Sequence, residues 1–211
     1  MIDLKGLVWS IGGRRLGGPL SVNWGPGTIV LRGPNGCGKT TLLRTIAGVI
    51  PPTAGRVSLH GCDLVHQATA ARHMLGWMPD RPPVPGTTRV GEWINLIAWA
   101  KGLAADLTPL AQELGVGALL GRAVAECSLG EQRRAGLAAA TLGDPPVLLL
   151  DEPDRGLDPG GLTLVVQYLR GRAADGRTNL IVTHHEGFAE RLAGTSLAFA
   201  DLAQATGKSD S

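Results

Sequence analysis

Short apolar runs, each bounded by glycine or proline, recur along the chain and are typical of strands buried inside a sheet. The run Thr28–Arg32 lies between Gly27 and Gly33. The run Val147–Leu150 is continuously apolar, as expected for a strand covered on both faces. We also predict strands over Ile2–Trp9, Leu20–Trp24, Val57–Leu59 and Asn179–Thr183, with breaks in the chain at Gly12–Gly13 and Gly17–Pro19.

Apolar residues at helical spacing alternate with these strands. They predict one helix over Thr40–Val49 and another over Gly161–Arg172. The Ala- and Leu-rich stretch from Val90 to Leu142 is predicted to be mostly helical, and the Pro- and Gly-rich segment Asp80–Thr88 before it predicts a hinge loop. Alternating strands and helices at both ends, with helices between, favour an α/β fold with a parallel sheet and an inserted helical subdomain.

This order of elements predicts a single domain over residues 1–211. Its core is expected to comprise about 1–80 and 136–205, and the helical subdomain about 81–135. The small, polar residues Thr206–Ser211 predict a frayed tail. The sequence has no internal repeat.

The composition is that of a packed globular protein and disfavours several classes of function. The 211 residues are 44% hydrophobic and carry a net charge of +2, which gives no reason to expect a nucleic-acid partner. No stretch reaches the roughly 18 apolar residues of a membrane span, and the N-terminus lacks the pattern of a signal peptide. The separated cysteines Cys37, Cys62 and Cys127 form neither a disulfide framework nor a zinc pattern. We therefore expect a soluble protein of a reducing cytosol.

The segment from Gly33 to Thr41 matches the phosphate-loop pattern G-x-x-x-x-G-K-[ST], and it lies between a predicted strand and a predicted helix. Its glycines let the backbone approach a phosphate chain, and the following helix N-terminus supplies positive potential. Lys39 should reach the β- and γ-phosphates, and the Thr40 hydroxyl should ligate Mg²⁺. The alternative is a glycine-rich turn that matches by chance, which the flanking strand and helix disfavour.

Two acids, Asp151 and Glu152, end the buried strand that begins at Val147. Ligands of open α/β sheets bind at that edge. Asp151 would hold Mg²⁺ through a water, and Glu152 would orient or deprotonate an attacking water. The alternative, a strand capped by solvated acids, loses weight beside the phosphate loop.

Four motifs in this order, GPNGCGKTT, CSLGEQRR, VLLLDEPDRGLDP and IVTHH, closely resemble those of the ATP-binding subunits of ATP-binding cassette (ABC) transporters, especially short exporter cassettes. The resemblance extends from about Ile2 to Phe199. It implies a P-loop NTPase core with a mostly parallel sheet, an antiparallel β edge and an inserted helical subdomain. It also implies an ATPase that uses ATP and Mg²⁺. Such subunits work as head-to-tail dimers with a second ABC ATPase subunit and drive transmembrane permease subunits.

The resemblance also assigns roles to individual residues. Glu152 and His184 match the catalytic base and the switch histidine, and a histidine at that strand end can hydrogen-bond a phosphate oxygen. In the alternative interpretation, His184 is an ordinary polar residue at the end of a strand. Asp158 matches the loop that crosses to the opposing subunit. The resemblance assigns metal binding to Thr40, Asp151 and Asp80. It assigns contact with the opposing subunit's phosphate to Ser128 and Gly130. It assigns nucleotide binding to Gly33, Pro34, Asn35, Gly36, Cys37, Gly38, Lys39, Thr40 and Thr41.

The signature motif departs from the family's LSGGQ, because Leu129 replaces a glycine and Glu131 replaces the glutamine. In one reading Ser128 and Gly130 still face the γ-phosphate across the dimer, and Glu131 repels it. In the other, Ser128 and Glu131 form a capping box that starts a helix, and Glu131 folds back on the backbone. The sequence leaves the two readings equal.

Two further departures concern the metal site and the residue that packs on the adenine base. Asp80 stands where the family has glutamine; a carboxylate can ligate Mg²⁺ but cannot donate a hydrogen bond when ionised, so hydrolysis is expected to be slower or tuned by the partner. The alternative is a turn residue before the Pro-rich loop. The aromatic residue that stacks on adenine in the family aligns near Ile11, with Trp9 two residues away, and either side chain could pack on the base.

The leading hypothesis is an ATPase that powers a separate transmembrane subunit, with export favoured. It places the chain in the cytoplasm, peripheral on the inner face of the cell membrane through its partner. One rival is a nucleotide-sensing, weakly hydrolysing partner in a heteromeric ABC ATPase pair. Another is a soluble ABC ATPase without a transport role.

Overall fold

The computed structural model describes residues 1–104 and 107–204. The start of the chain, where apolar and polar residues alternate, folds into an antiparallel pair of strands. Strand β1 (Ile2–Ile11) pairs with β2 (Arg14–Trp24). Ile2, Leu4, Leu7 and Trp9 point into the core. The alternation shifts by one residue next to Gly6, whose φ of 58° lets the strand form a bulge.

The remaining elements follow in the order that the sequence predicts, with several additions. The first half of the chain continues with β3 (Gly27–Arg32), α1 (Lys39–Ile46), β4 (Ala54–Leu59), β5 (Cys62–Asp63), α2 (Ala68–His73) and β6 (Leu75–Met78). The second half contains α3 (Val90–Ala100), α4 (Thr108–Glu113), α5 (Leu129–Thr141), β7 (Val147–Asp151), α6 (Pro159–Ala174), β8 (Thr178–Val182), α7 (Glu186–Leu192), β9 (Thr195–Ala198) and α8 (Phe199–Gln204).

The described part of the chain contains two β-sheets. Strands β6-β7-β8-β3-β9 make a five-stranded sheet in which every pairing is parallel. Strands β2-β1-β4-β5 make a separate antiparallel sheet of four strands. The predicted α/β class is confirmed, and the antiparallel strands form their own sheet beside the parallel one. Helices α3, α4 and α5 lie between β6 and β7 in the sequence.

The parallel sheet lies between two hydrophobic clusters, and its central strands alternate between them. In β7, Val147 and Leu149 pack with the antiparallel sheet and α1, whereas Leu148 and Leu150 pack with the helices of the other cluster. All five residues of β7 are buried, which agrees with the prediction of a strand covered on both faces.

The predicted break at Gly17–Pro19 is wrong, because β2 runs through it. The indole of Trp9 fills the space beside Gly17: a Cβ at position 17 would lie 2.3 Å from Trp9 Cζ2. The sequence analysis also missed β6 and β9, which are four residues long each. The predicted tail Thr206–Ser211 lies outside the described residues. None of the helices in the described ranges has both the length and the apolar character needed to cross a membrane.

Candidate functional site

Four neighbouring strands of the parallel sheet end at one edge, and a predicted site residue follows each of them. Gly33 follows β3, Asp151 ends β7 and Glu152 follows it, His184 comes after β8, and Asp80 comes after β6. Since parallel strands present their carboxyl ends together, Asp80, Asp151, Glu152 and His184 are brought to one cavity of about 730 Å³. Of the predicted loop residues, Gly33, Pro34 and Cys37 do not line it. The cavity is lined by Ile11, Arg14, Leu16, Asn35, Gly36, Gly38, Lys39, Thr40, Thr41, Asp80, Asp151, Glu152, Arg155, Val182 and His184.

The loop between β3 and α1 wraps around the side chain of Lys39. The Lys39 ammonium donates hydrogen bonds to the carbonyls of Gly33 (2.7 Å) and Pro34 (2.8 Å), and it lies 3.8 Å from Cys37 Sγ. Gly38 has a φ of 110°, and a Cβ there would lie 3.2 Å from Leu16 Cβ. The residue before α1 must therefore be glycine for both its backbone conformation and its packing.

Thr40 and Asp151 form the part of the cavity that fits a divalent cation. Thr40 Oγ1 lies 3.3 Å from Asp151 Oδ1, while the buried Asp151 Oδ2 has no hydrogen-bond partner among the described residues. Burial raises the pKa of Asp151, so the carboxylate would be stabilised by a bound cation. A hydroxyl beside a carboxylate with an unpartnered oxygen is a donor set that suits Mg²⁺.

Glu152 and His184 form a contacting pair in the cavity lining, with His184 Nε2 3.3 Å from Glu152 Oε1. Glu152 has a φ of 53°, an uncommon conformation for a residue with a side chain. Burial, followed by the charges of Asp154 and Asp151, raises its pKa to about 7. Burial and the nearby Lys39 charge lower the pKa of His184, which favours the neutral imidazole. A carboxyl group with this pKa can act as a proton acceptor near neutral pH.

Asp80 lies at the cavity but is held by two arginines. Its Oδ1 accepts hydrogen bonds from Arg133 of α5 at 2.8 Å and from Arg155 at 3.3 Å. Arg133 is 3% exposed and also donates to the Pro79 carbonyl. The sequence analysis missed both arginines, because neither belongs to the residues that a phosphate loop or a metal-binding acid requires. Their only signal was their position inside two of the quoted motifs, Arg133 in CSLGEQRR and Arg155 in VLLLDEPDRGLDP.

The structure shows the capping-box arrangement at the signature motif. Ser128 Oγ accepts from the Glu131 amide (3.2 Å), and Glu131 accepts from the Ser128 amide (2.7 Å). Glu131 also pairs with Arg122 at 2.9 Å. The backbone bond and the Arg122 charge lower the pKa of Glu131 and keep its charge compensated. Ser128 therefore starts α5, and its hydroxyl proton remains available to a second acceptor.

Ser128 and Gly130 do not line the cavity of their own chain. A Cβ on Gly130 would lie 2.4 Å from the carbonyl oxygen of Gly156, so this glycine permits close contact between α5 and the loop after β7. Asp158 accepts a hydrogen bond from the Gly161 amide at 2.8 Å and caps α6. The two predicted signature residues therefore lie apart from the phosphate loop within one chain.

The two candidates for stacking on a base differ in position. Ile11 is 49% exposed and lines the cavity, together with Arg14 and Leu16, whereas Trp9 is fully buried. Trp9 lies beneath the phosphate loop, with its Nε1 3.5 Å from where a Cβ of Gly38 would stand. Of the two, only Ile11 is accessible to a base in this conformation.

The chain is similar in sequence to a known family and to several known proteins. A family model described as ABC transporter matches residues 19–155. The Nod factor export ATP-binding protein I of Burkholderia pseudomallei is 39% identical over 169 residues, which are 77% of this chain and 55% of that protein. The cytochrome c biogenesis ATP-binding export protein CcmA of Ruegeria pomeroyi is 38% identical over 167 residues, 78% of this chain and 76% of that protein. The chain thus spans little more than half the length of the Nod factor relatives.

Solved structures show the same fold. The ATP-binding subunit of an ABC transporter superposes with a TM-score of 0.81 at 26% identity, covering 91% of this chain and 82% of that one. A dimeric ATP-binding cassette with bound ADP and phosphate superposes with a TM-score of 0.80 at 22% identity, covering 94% of both chains. Together with the match over residues 19–155, these similarities show that the chain belongs to the ABC transporter family.

Proposed function

We propose that this chain binds and hydrolyses ATP with Mg²⁺. The observation that carries the proposal is the convergence of three groups in one cavity: Lys39 in its loop, Thr40 with the unpartnered oxygen of Asp151, and the Glu152–His184 pair. Each group matches one requirement of phosphoryl transfer to water, namely phosphate binding, cation binding and proton acceptance.

Each group of residues has a separate role in the proposed reaction. Loop amides from Gly33 to Thr41 and the Lys39 ammonium hold the β- and γ-phosphates. Thr40 and Asp151 hold the cation, which when bound neutralises charge on the phosphate oxygens. Glu152 accepts the proton of the attacking water, and His184 orients the water and the γ-phosphate. Both arginines engage Oδ1 of Asp80, so we assign metal binding to its other carboxylate oxygen.

We further propose that hydrolysis powers a separate transmembrane permease, with export as the direction. The export proteins among the relatives support this assignment. Ser128 and Gly130 would complete the nucleotide site of a second ABC ATPase subunit, because they lie outside the cavity of their own chain. The chain would then lie in the cytoplasm, peripheral on the inner face of the membrane. The groove beside α3 would receive a short helix of the permease, and residues of about 81–135 would move as the helical subdomain on the core.

A second candidate is a nucleotide-sensing, weakly hydrolysing subunit of a heteromeric pair. The contacts of Asp80 with Arg133 and Arg155 favour it, because a carboxylate engaged by two cations is less available to Mg²⁺ or water. The intact Glu152–His184 pair favours the hydrolysing subunit.

Substitution of Glu152 distinguishes the two candidates. In the complex purified with its membrane partner, Glu152→Gln should lower ATP hydrolysis by about a hundredfold, because glutamine cannot accept the proton. Binding of a fluorescent ATP analogue should remain. The matched control is Glu190→Gln, a change on the exposed face of α7. Hydrolysis unchanged by Glu152→Gln would mean that this site is silent and would favour the sensing subunit.

A further inference from the structure

The loop after β7 places an arginine at the nucleotide cavity. Arg155 lines the cavity three residues after Glu152, and its side chain is 59% exposed. The backbone around it is held in place, because the Arg155 amide donates to the Glu152 carbonyl at 3.3 Å. In the same turn, the buried Asp154 carboxylate accepts from the Thr183 hydroxyl at 2.7 Å. The base of the Arg155 side chain is therefore fixed beside Glu152, while its exposed guanidinium can change partner.

Asp80 holds two guanidinium groups with one carboxylate. Its Oδ1 accepts from Arg133 at 2.8 Å and from Arg155 at 3.3 Å. The Arg133 side chain is buried, so it cannot leave Asp80 without its charge losing compensation. The pair with Arg155 is longer and lies in solvent, where an ion pair contributes little. Arg155 is therefore the arginine that can leave, since Arg133 still compensates for the charge of Asp80.

Arg155 also differs from the other cations of the cavity in its position. Lys39 belongs to the phosphate loop, and Arg14 belongs to β2 of the antiparallel sheet. Of the cations among the described lining residues, Arg155 is the one on the loop that holds the proton acceptor Glu152. Transfer of a phosphoryl group to water spreads negative charge over the γ-phosphate oxygens. A guanidinium can donate two parallel hydrogen bonds to such oxygens.

We propose that Arg155 is a further catalytic residue: when ATP binds, its guanidinium leaves Asp80 and binds the γ-phosphate, while Arg133 stays on Asp80. This inference rests on the proposed function and adds a residue to the same site. During transfer to water, the guanidinium offsets the charge on the γ-phosphate oxygens. ADP has no γ-phosphate, so it leaves Arg155 on Asp80. The exchange of partners therefore helps the chain to distinguish ATP from ADP.

Binding of two nucleotides tests the proposal without reference to hydrolysis. Isothermal titration calorimetry with Mg²⁺ compares ADP with the nonhydrolysable β,γ-imido analogue of ATP. We expect Arg155→Gln to lower the affinity for the analogue about tenfold, because charge-assisted hydrogen bonds to the γ-phosphate are lost. The affinity for ADP should stay at the wild-type value. The matched control is Arg170→Gln, an exposed arginine of α6 outside the cavity, which should change neither affinity.

Hydrolysis and a conservative variant complete the test. In the complex purified with its membrane partner, Arg155→Gln should lower kcat about a hundredfold, as expected for loss of a donor to transition-state charge. Arg155→Lys keeps the charge but not the paired donors, so its affinity for the analogue should fall only about threefold. A thermal melt shows that the variants are folded, and Arg155→Lys replaces Arg155→Gln if the latter unfolds.

The pattern of affinities decides the outcome. An equal loss for ADP and the analogue would mean that Arg155 acts only by holding Asp80, and it would overturn the inference. Unchanged affinities for both nucleotides would overturn it as well. In either case, a wild-type chain that binds the analogue and hydrolyses ATP leaves the proposed function intact. If the wild type binds neither nucleotide, both proposals fail.

Discussion

Glu152 combines an uncommon backbone conformation with an unusual acidity. The φ of 53° turns its side chain from the end of β7 into the cavity, where burial and the charges of Asp154 and Asp151 raise its pKa to about 7. Near pH 7 about half of these carboxyl groups are protonated and cannot accept a proton from water. Hydrolysis should therefore depend on pH in the physiological range.

We predict that kcat/KM for ATP hydrolysis by the complex falls about tenfold per pH unit below pH 7 and levels off above it. The sign follows from the base, since only ionised Glu152 is active and its fraction increases as pH rises through the pKa of about 7. Burial lowers the pKa of His184 from its usual 6.5, so its imidazole is neutral above that pH and its titration adds no loss where the rate levels off. Steady-state rates between about pH 5.5 and 9 measure the profile. A flat profile would contradict the assignment of Glu152 as the base.

The sequence predicted the residues of this site better than their contacts. Lys39, Asp151 and Glu152 belong to local patterns whose spacing along the chain already specifies the chemistry. The ion pair of Asp80 with Arg133 joins residues 53 positions apart and depends on how α5 packs against the end of β6. The burial that raises the pKa of Glu152 likewise depends on tertiary packing, so no spacing could predict it.

At the scale of elements, Asp80 joins three segments. Its carboxylate contacts Arg133 on α5 and Arg155 on the loop after β7, while Asp80 itself follows β6. Arg133 is 3% exposed, so removal of its charged partner would leave a buried cation without compensation. This ion pair therefore fixes the helix that begins with the signature motif to the sheet edge that holds the nucleotide cavity.

We predict that Asp80→Asn lowers the free energy of unfolding by about 2 kcal/mol, less than for a fully buried pair because Asp80 is partly exposed. Urea denaturation measures the change. Asp175→Asn is the matched control, since Asp175 is exposed and forms no ion pair among the described residues. An equal effect of the two substitutions would show that the Arg133 contact contributes no stability.

The elements that the sequence did not reveal were short: strands β5, β6 and β9 and helices α2, α7 and α8. Strand β6 (Leu75–Met78) contains Gly76, whose missing side chain lets the Ala140 carbonyl approach: a Cβ would lie 2.0 Å from that oxygen. Strand β9 (Thr195–Ala198) forms the sheet edge and is largely exposed, so it lacks the apolar run of β7. Both strands are specified by their neighbours in the sheet, and a pattern read along the chain cannot show this.

At the scale of the molecule, the nucleotide cavity and the signature residues are separate surfaces of one chain. Ser128 and Gly130 start α5, whereas the phosphate loop starts α1. A nucleotide bound by one chain therefore leaves the signature of that chain free for another subunit. The groove beside α3 is a third surface, and it adjoins both α1 and the loop of Asp80.

We predict that the Glu152→Gln chain with Mg²⁺ and ATP doubles its molar mass in light scattering, because ATP persists between the loop of one copy and the signature of the other. Omission of ATP should restore the monomer. Lys39→Ala introduced into the same variant should also prevent dimer formation, since the phosphates lose the Lys39 ammonium. A chain that binds ATP but stays monomeric would instead indicate a mixed pair with a different ATPase subunit.

Trp9, Gly17 and Gly38 constrain one another through the contacts described above. The indole occupies the space that Gly17 leaves free, and its Nε1 reaches to where a side chain of Gly38 would begin. Enlarging residue 17 would require a smaller residue 9, and a smaller residue 9 would leave the phosphate loop without its support. A larger residue 17 is therefore compatible with the fold only together with a change of residue 9. Positions 9 and 17 should be inherited together with the loop, although neither belongs to any nucleotide-binding motif.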